Sequence, residues 1–243
     1  MAYTTINKST DYFNTVLYEG NGATGRGITG VDHQPDLVWI KNRDATTPHV
    51  LTDAVRGATV TLNSNDTSAD DTISNGLTAF GTDGFTIGGN GSFNYSNESF
   101  VSWNWKANGA GSANTDGSIS STVSANTTSG FSIVSYSGSN SNSTVGHGLG
   151  VAPKVIIIKR RNVADNWRVL HMSAGNDNTS HLNLTSAFSS SAVFQNTSPT
   201  STVFSLVGNN TSVNQSGSTY IAYCFADVTG YSRFGSYVGN GNA

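Results

Sequence analysis

Apolar residues along this chain come in short clusters with a period of two, separated by turns rich in Gly, Asn and Asp. One cluster places Val101, Trp103 and Trp105 on one face, with the smaller Ser102 and Asn104 between them. This alternation predicts a half-buried antiparallel strand. Continuous apolar runs at 37–40 and 155–158 are typical of strands in the middle of a sheet. Further strands of the first half are predicted at 14–18, 50–53, 59–62 and 85–87, and no amphipathic helix of ten residues or more is predicted.

The same apolar pattern occurs twice along the chain. Residues 13–57 align with residues 131–175 at an offset of 118, and the register continues at offsets of 119 and 120 to the end of the unit. Large residues are retained, because Val101, Trp103 and Trp105 correspond to Ile221, Tyr223 and Phe225. Chance similarity between Gly- and Ser-rich loops would not preserve apolar positions over this length, so the sequence predicts an internal repeat.

Seven or eight short strands in each unit of about 110 residues are the size of a two-sheet sandwich, either a jelly roll or an immunoglobulin-like fold. We predict a first β-sandwich repeat at 1–109, a Gly/Asn/Ser linker at 110–116 and a second repeat at 117–230. Residues 231–243 resemble the first strand of a further copy. That strand is expected either to complete a sheet of an existing unit or to belong to a longer array.

Charge and composition narrow the class of protein. Charged residues make up 11% of the chain and the net charge is −3, so Ser, Thr, Asn and Gly must cover the surface. Hydrophobic residues at 36% are enough to build a core. The charge pattern predicts no nucleic-acid binding, and no apolar run is long enough to predict membrane insertion. The start of the chain does not resemble a secretory signal, and the single Cys224 allows no disulfide within the chain.

Several segments together resemble a repeat found in virion proteins of marine tailed bacteriophages. They are residues 34–43 (QPDLVWIKNR), 53–57 (DAVRG), 100–106 (FVSWNWK), 146–153 (GHGLGVAP), 220–225 (YIAYCF) and 230–237 (GYSRFGSY). Members of that group are usually described as tail-fibre or other virion proteins with concanavalin-A-like jelly-roll domains. The resemblance therefore implies an all-β chain of two tandem jelly-roll sandwiches and a place in the virion. It carries over no catalytic or ligand-binding residue.

Two candidate sites follow from the residues themselves. Asp66, Asp70 and Asp71 lie in one polar loop, where clustered oxygen ligands could bind calcium, although the second repeat has no acidic counterpart there. Trp167 has no obvious apolar neighbour in the sequence and is a candidate for stacking on a sugar. The other three tryptophans are expected to pack in the core, because their counterparts are large and apolar.

No pattern of catalytic residues is present. The five histidines are scattered without metal-ligand spacing, no Gly-x-Ser-x-Gly motif occurs, and the only glutamates are Glu19 and Glu98. A glycosidase would need two carboxylates across a cleft. The chain is therefore expected to be non-enzymatic and to need no cofactor.

The sequence and the resemblance together predict a structural component of a tailed-phage virion, of tail-fibre or adhesin type, that attaches to a host-surface glycan. The alternatives are a capsid decoration or head-fibre protein and a glycan-active enzyme on the same fold. The expected partners are other virion proteins and further copies of this chain, with a trimer favoured. The expected location is the virion, after synthesis in the bacterial cytoplasm and release by lysis.

Overall fold

Short alternating segments bounded by Gly- and Asn-rich turns form the strands of the first repeat. The structure is a computed structural model that describes residues 4–241. The first repeat contains β1 (Phe13–Glu19), β2 (Arg26–Thr29), β3 (Leu37–Asn42), β4 (Val50–Asp53), β5 (Val60–Asn63), β6 (Asp71–Thr72), β7 (Leu77–Gly81), β8 (Gly84–Ile87) and β9 (Ser99–Trp105). Each predicted strand of this repeat coincides with one of these to within one or two residues.

The second repeat follows the same order after an additional hairpin, but it has no strand equivalent to β7. Its strands are β10 (Ser112–Asn114), β11 (Ser121–Asn126), β12 (Phe131–Ser137), β13 (Ser143–Gly146), β14 (Val155–Arg160), β15 (Arg168–His171), β16 (Asn178–His181), β17 (Ser189–Ser190), β18 (Val203–Leu206) and β19 (Thr219–Phe225). Within residues 4–241 the helices are single turns, namely α1 (Gly91–Asn94) and the 3₁₀ turns Ser9–Asp11, Met172–Ala174 and Ala192–Phe194. The predicted all-β class is confirmed.

Each repeat consists of a large and a small antiparallel sheet. The large sheets have the order β1-β9-β3-β4-β5-β6 and β10-β11-β12-β19-β14-β15-β16-β17, and the small sheets have the order β2-β8-β7 and β13-β18. Strands β1, β9 and β3 of the first repeat thus occupy the places of β12, β19 and β14 in the second. The fold is of the β-sandwich type that the sequence predicts.

Equivalent side chains make equivalent contacts in the two repeats. Asn94 is fully buried, and its Oδ1 accepts a hydrogen bond from the backbone N–H of Asn21 at 2.9 Å. Asn214, its counterpart, is also fully buried and accepts from the N–H of Ser139 at 2.8 Å. Because Ser139 is the counterpart of Asn21, both repeats fix the turn after their first strand with the same buried amide.

The Tyr-x-Gly motif that ends the first strand of each repeat has a steric cause. A side chain at Gly20 would collide with the Tyr95 carbonyl, and one at Gly138 would collide with the carbonyl of Gln215. Those two carbonyls occupy equivalent positions. Only glycine allows the backbones to approach this closely.

Three hydrophobic clusters form the core. One lies inside the first sandwich and one inside the second, and the third joins the two large sheets. The third cluster includes Leu37 and Leu51 of the first repeat with Ile221 and Tyr223 of the second. The two large sheets therefore pack face to face across a shared core.

This shared core corrects the prediction of half-buried last strands. The small residues Ala222 and Cys224 of β19 lie in the core of their own sandwich, whereas Ile221 and Tyr223 face the other repeat. Only the end residues of β19 are partly exposed. Large side chains on one face thus mark the junction between the repeats, and the strand is buried on both sides.

Two boundary predictions also change. The predicted linker at 110–116 contains β10, which pairs with β11 at the edge of the second large sheet, so it is part of the sandwich. The predicted C-terminal strand at 231–243 is not a strand within residues 231–241, and its last two residues lie outside the described range. Phe234 instead packs its ring against Phe225, with 5.8 Å between the ring centroids. Whether the repeats are independent domains stays a prediction.

Candidate functional site

Trp167, the predicted sugar contact, is fully buried. Its indole Nε1 donates a hydrogen bond to the Asn63 carbonyl of the first repeat at 2.8 Å, and its ring stacks on Tyr223 with 6.4 Å between centroids. A ring covered on both faces offers no surface to a sugar, so the prediction for this residue is wrong. The apolar neighbour that its sequence surroundings lack comes from the last strand of the repeat and from the other repeat.

The acidic loop does not form the predicted calcium site. Asp70 pairs with Arg161 of the second repeat at 2.8 Å. The carboxylates of Asp66 and Asp71 accept hydrogen bonds from backbone N–H groups of their own loop. Within residues 4–241 no group of three His, Cys, Asp or Glu side chains is arranged to hold a metal ion. The loop instead docks the first repeat onto the second.

Counterpart residues meet at one end of the junction. Trp105 and Phe225 occupy the same position in the two repeats, and their ring centroids lie 6.2 Å apart. Phe13 packs on Trp105 at 4.9 Å, and its counterpart Phe131 packs on Phe225 at 5.0 Å. Contact between equivalent residues is typical of a two-fold interface. The two repeats are therefore packed like the halves of a symmetric dimer.

A buried polar network lies in the shared core. The Arg56 side chain donates to Asp53 at 2.6 Å, and the Tyr223 hydroxyl of the other repeat donates to the same carboxylate oxygen at 2.8 Å. Both charged side chains are fully buried. Burial raises the pKa of Tyr223 well above its usual value. Because every partner is satisfied, this network fixes the relative position of the repeats and offers no group to a substrate.

An open groove lies at the other end of the junction, with a volume of about 290 Å³. Its floor includes the partly exposed indole of Trp39, beside His49 and Asn65 of the first repeat. Leu182 and Thr185 of the second repeat form the opposite wall. The groove therefore combines an aromatic surface with polar side chains from two separate loops.

The polar side chains of the groove have donors and acceptors that are available to a ligand. Asn65 Oδ1 accepts a hydrogen bond from the His49 backbone N–H at 2.8 Å. The Nδ2 group of Asn65 is then available to donate to a ligand. Within residues 4–241 neither that Nδ2, nor the His49 ring nitrogens, nor the Thr185 hydroxyl has a hydrogen-bond partner. Burial lowers the pKa of His49, with a smaller contribution from Lys41. The imidazole is therefore neutral at pH 7 and can both donate and accept.

The difference between His49 and Trp167 explains why this groove is open. The two residues are counterparts, and both have their backbone N–H capped by an asparagine, Asn65 for His49 and Asn183 for Trp167. The indole of Trp167 extends under the loop of the first repeat and fills the junction there. The smaller imidazole leaves the equivalent space accessible beside Trp39.

An apolar cavity of about 230 Å³ lies beside the aromatic contacts at the opposite end of the junction. Phe13, Trp105, Phe225 and Phe234 line it, together with Ser129. The Ser129 side chain is nearly buried, and its hydroxyl has no hydrogen-bond partner within residues 4–241. This lining provides few polar groups, so the groove at Trp39 is the better candidate for a polar ligand.

Sequence reasoning missed the groove because its walls are 120 residues apart in the chain. Trp39 was assigned to the core from its counterpart Ile157, and its indole does contact Trp103 and Trp105. One signal was available. An aromatic residue whose counterpart is aliphatic, close to a His whose counterpart is Trp, indicates a place where the two repeats differ in function or packing.

The chain matches a family model over residues 8–243, and the description of that model is "Domain of unknown function (DUF7483)". No curated protein and no solved structure matches the chain. In the part of the chain that the structure describes, no helix is long and apolar enough to span a membrane. Since the family model covers nearly the whole sequence, the chain belongs to the DUF7483 family.

Proposed function

We propose that this protein is a non-enzymatic structural component of a tailed-phage virion, of tail-fibre or adhesin type, that attaches to a host-surface glycan through the groove at Trp39. The groove carries the attachment part of the proposal. The virion part is supported by the sequence motifs that resemble phage virion proteins. Assembly with other virion proteins and with further copies of the chain belongs to the same proposal.

The chemistry of the groove suits a sugar. A pyranose presents a C–H face that packs on an aromatic ring, and the partly exposed Trp39 indole provides one. Its hydroxyls need neutral donors and acceptors, which Asn65, His49 and Thr185 supply. The volume of about 290 Å³ has room for one or two sugar units.

The body of the protein suits a passive role. Its surface is polar with few charges, and its repeats are joined by a buried core and a satisfied polar network. A rigid body of this kind places the groove in a fixed position relative to any neighbour in a particle.

Glycan binding tests the proposal through a substitution that fills the groove. Thr185→Arg places a long side chain at the exposed rim, and Ser190→Arg adds the same charge at an exposed position of β17 outside the groove. We expect the native chain and Ser190→Arg to bind the same glycans of the host surface on an array. Thr185→Arg should weaken that binding about tenfold or more.

The other outcomes separate the alternatives. Absence of binding to any host polysaccharide at high protein concentration would contradict the adhesin proposal and favour a decoration protein. Equal loss of binding in both arginine variants would show that added charge, rather than the groove, determines it. Release of reducing sugar from the polysaccharide would replace attachment by catalysis.

A further inference from the structure

One edge of the second sandwich is covered by residues 117–126, which precede β12, the counterpart of β1. Strand β11 pairs with β12 over six residues. Just before it, the Ile119 N–H donates to the Thr144 carbonyl of the small sheet at 3.0 Å. The Ile119 side chain is 7% exposed and belongs to the core of the sandwich. Residues 117–126 thus cover both sheets along this edge.

The equivalent edge of the first sandwich is open. Strand β1 ends its sheet, and no segment within residues 4–241 pairs with its outer side. The consequence is visible in the core. Val16 and Tyr18 are only partly buried, whereas their counterparts Val134 and Tyr136 are 0% and 4% exposed.

The backbone of β1 leaves a regular row of groups for a partner. Tyr12 O accepts from Lys106 and Gly20 N donates to Glu98 at the two ends of the β1–β9 ladder, so even-numbered residues bond to β9. The N–H and C=O groups of odd-numbered residues therefore point outward. Leu17, one of these residues, has a side chain that is 64% exposed.

The strand lacks the usual protection of an edge. It is seven residues long and contains no Pro, no Lys and no Arg. Only two outward groups are capped, since Thr15 N donates to the Asn14 side chain and Glu19 O accepts from Arg26. Natural proteins shorten, charge or cover edges of this kind to avoid pairing with other chains.

We propose that β1 pairs antiparallel with β1 of a second copy, so that the two large sheets form one continuous sheet. With the two-fold axis at Val16, Leu17 of each copy lies opposite Thr15 of the other. On the inner face the two Val16 side chains meet, and Tyr18 of each copy lies opposite Asn14 of the other. The second copy then does for the first sandwich what residues 117–126 do for the second.

A second copy is favoured over an unrelated partner because the edge is complementary to itself. In the register centred on Val16, every outward residue of β1 meets an outward residue of the other copy, and no like charges face each other. A two-fold contact of this kind closes after two copies. It therefore gives a dimer, and it does not depend on the glycan groove.

The mass of the protein in solution tests this inference, together with amide exchange at Leu17. Leu17→Lys places a charge in the middle of the edge, and Val151→Lys makes the same change at a residue 48% exposed in a loop of the second repeat. We expect the native chain and Val151→Lys to be dimers in which the Leu17 amide is protected. Leu17→Lys should raise the dissociation constant about 100-fold, because each copy loses the apolar contact of Leu17 with Thr15 of the other and gains a charge at the paired edge.

Two results would overturn it. One is a native chain that remains monomeric at every soluble concentration, with a rapidly exchanging Leu17 amide. The other is a dimer that Leu17→Lys weakens no more than Val151→Lys does. Equal melting temperatures for the two variants show that any difference in mass does not come from unfolding.

Discussion

Lys159 lies fully buried at the end of β14, with an ammonium group that reaches across the junction between the repeats. Its Nζ donates to the Thr67 carbonyl of the first repeat at 3.1 Å and to the Arg160 carbonyl at 3.0 Å. Burial lowers the pKa of Lys159 to about 8, and nearby aspartates, Asp165 first, only partly offset that effect. The folded protein therefore favours the neutral amine more than the unfolded chain does.

This buried amine predicts a dependence of stability on pH. The unfolded chain holds the Lys159 proton up to a pKa of 10.5, whereas the folded chain releases it near pH 8. Lys159 should therefore make the free energy of unfolding rise between about pH 8 and pH 9, with a slope of at most about 1.4 kcal/mol per pH unit. Above about pH 9 the Cys224 thiol opposes this rise, because it ionises in the unfolded chain while burial raises its pKa in the folded chain to about 12. Below pH 8 both states are protonated and Lys159 contributes no slope.

Urea unfolding at several pH values measures this slope. Lys159→Met should remove it, while Lys41→Met, at the equivalent position of the first repeat, should retain it. A slope that is the same in Lys159→Met and in the native chain would contradict the assignment. Measurements above about pH 9 are avoided, because Cys224 and then the tyrosines ionise there in the unfolded chain.

The sequence predicted residue roles well where a residue acts within its own repeat. Gly20 and Gly138 lie at equivalent positions of the aligned segments 13–57 and 131–175, and the close approach of a carbonyl explains why both are glycine. Trp167 was predicted wrongly because its contacts come from Asn63 and Tyr223, which are distant in the chain. No local pattern carries that information.

At the scale of elements, the segment at 117–126 is the clearest difference between the repeats. It was predicted to begin the second unit, and the structure shows that it also closes the edge of the sandwich. The preceding Gly-rich stretch was predicted as a linker from its composition. Composition does not show pairing, and β10 pairs with β11 in spite of its small polar residues.

Ile119 should contribute strongly to this closure. Ile119→Ala removes an almost fully buried side chain, so the free energy of unfolding should fall by about 2–4 kcal/mol. Val163→Ala, at a side chain 43% exposed, should change it by less than about 0.5 kcal/mol. Denaturant unfolding of both variants provides the comparison. A loss at Ile119 no larger than that at Val163 would mean that the segment does not seal the core.

At the scale of the whole molecule, two sandwiches share a third core that neither could form alone. The sequence indicated the two surfaces that form this third core, because large residues occupy one face of both β9 and β19. It did not show that these faces meet, because a strand with large residues on one face also fits a sandwich that encloses its own core. The small residues on the opposite face, Ala222 and Cys224, were the available sign that the interior lay there.

The groove at Trp39 is a product of this arrangement. Its two walls come from equivalent loops of the two repeats, and the repeats differ there at two positions, His49 in place of Trp167 and Trp39 in place of Ile157. Divergence between the two repeats at these positions can thus turn a packing contact into an open groove. The fold class followed from strand periodicity, but the site needed the relative placement of the repeats.

Labelling purified phage particles with antibodies raised against this chain tests the central claim most directly. We predict that the label decorates the tail fibres, and that infection falls when the same antibodies cover the groove. Label confined to the head lattice would contradict the fibre assignment and support a decoration protein. Absence of the chain from purified particles would contradict a structural role in the virion altogether.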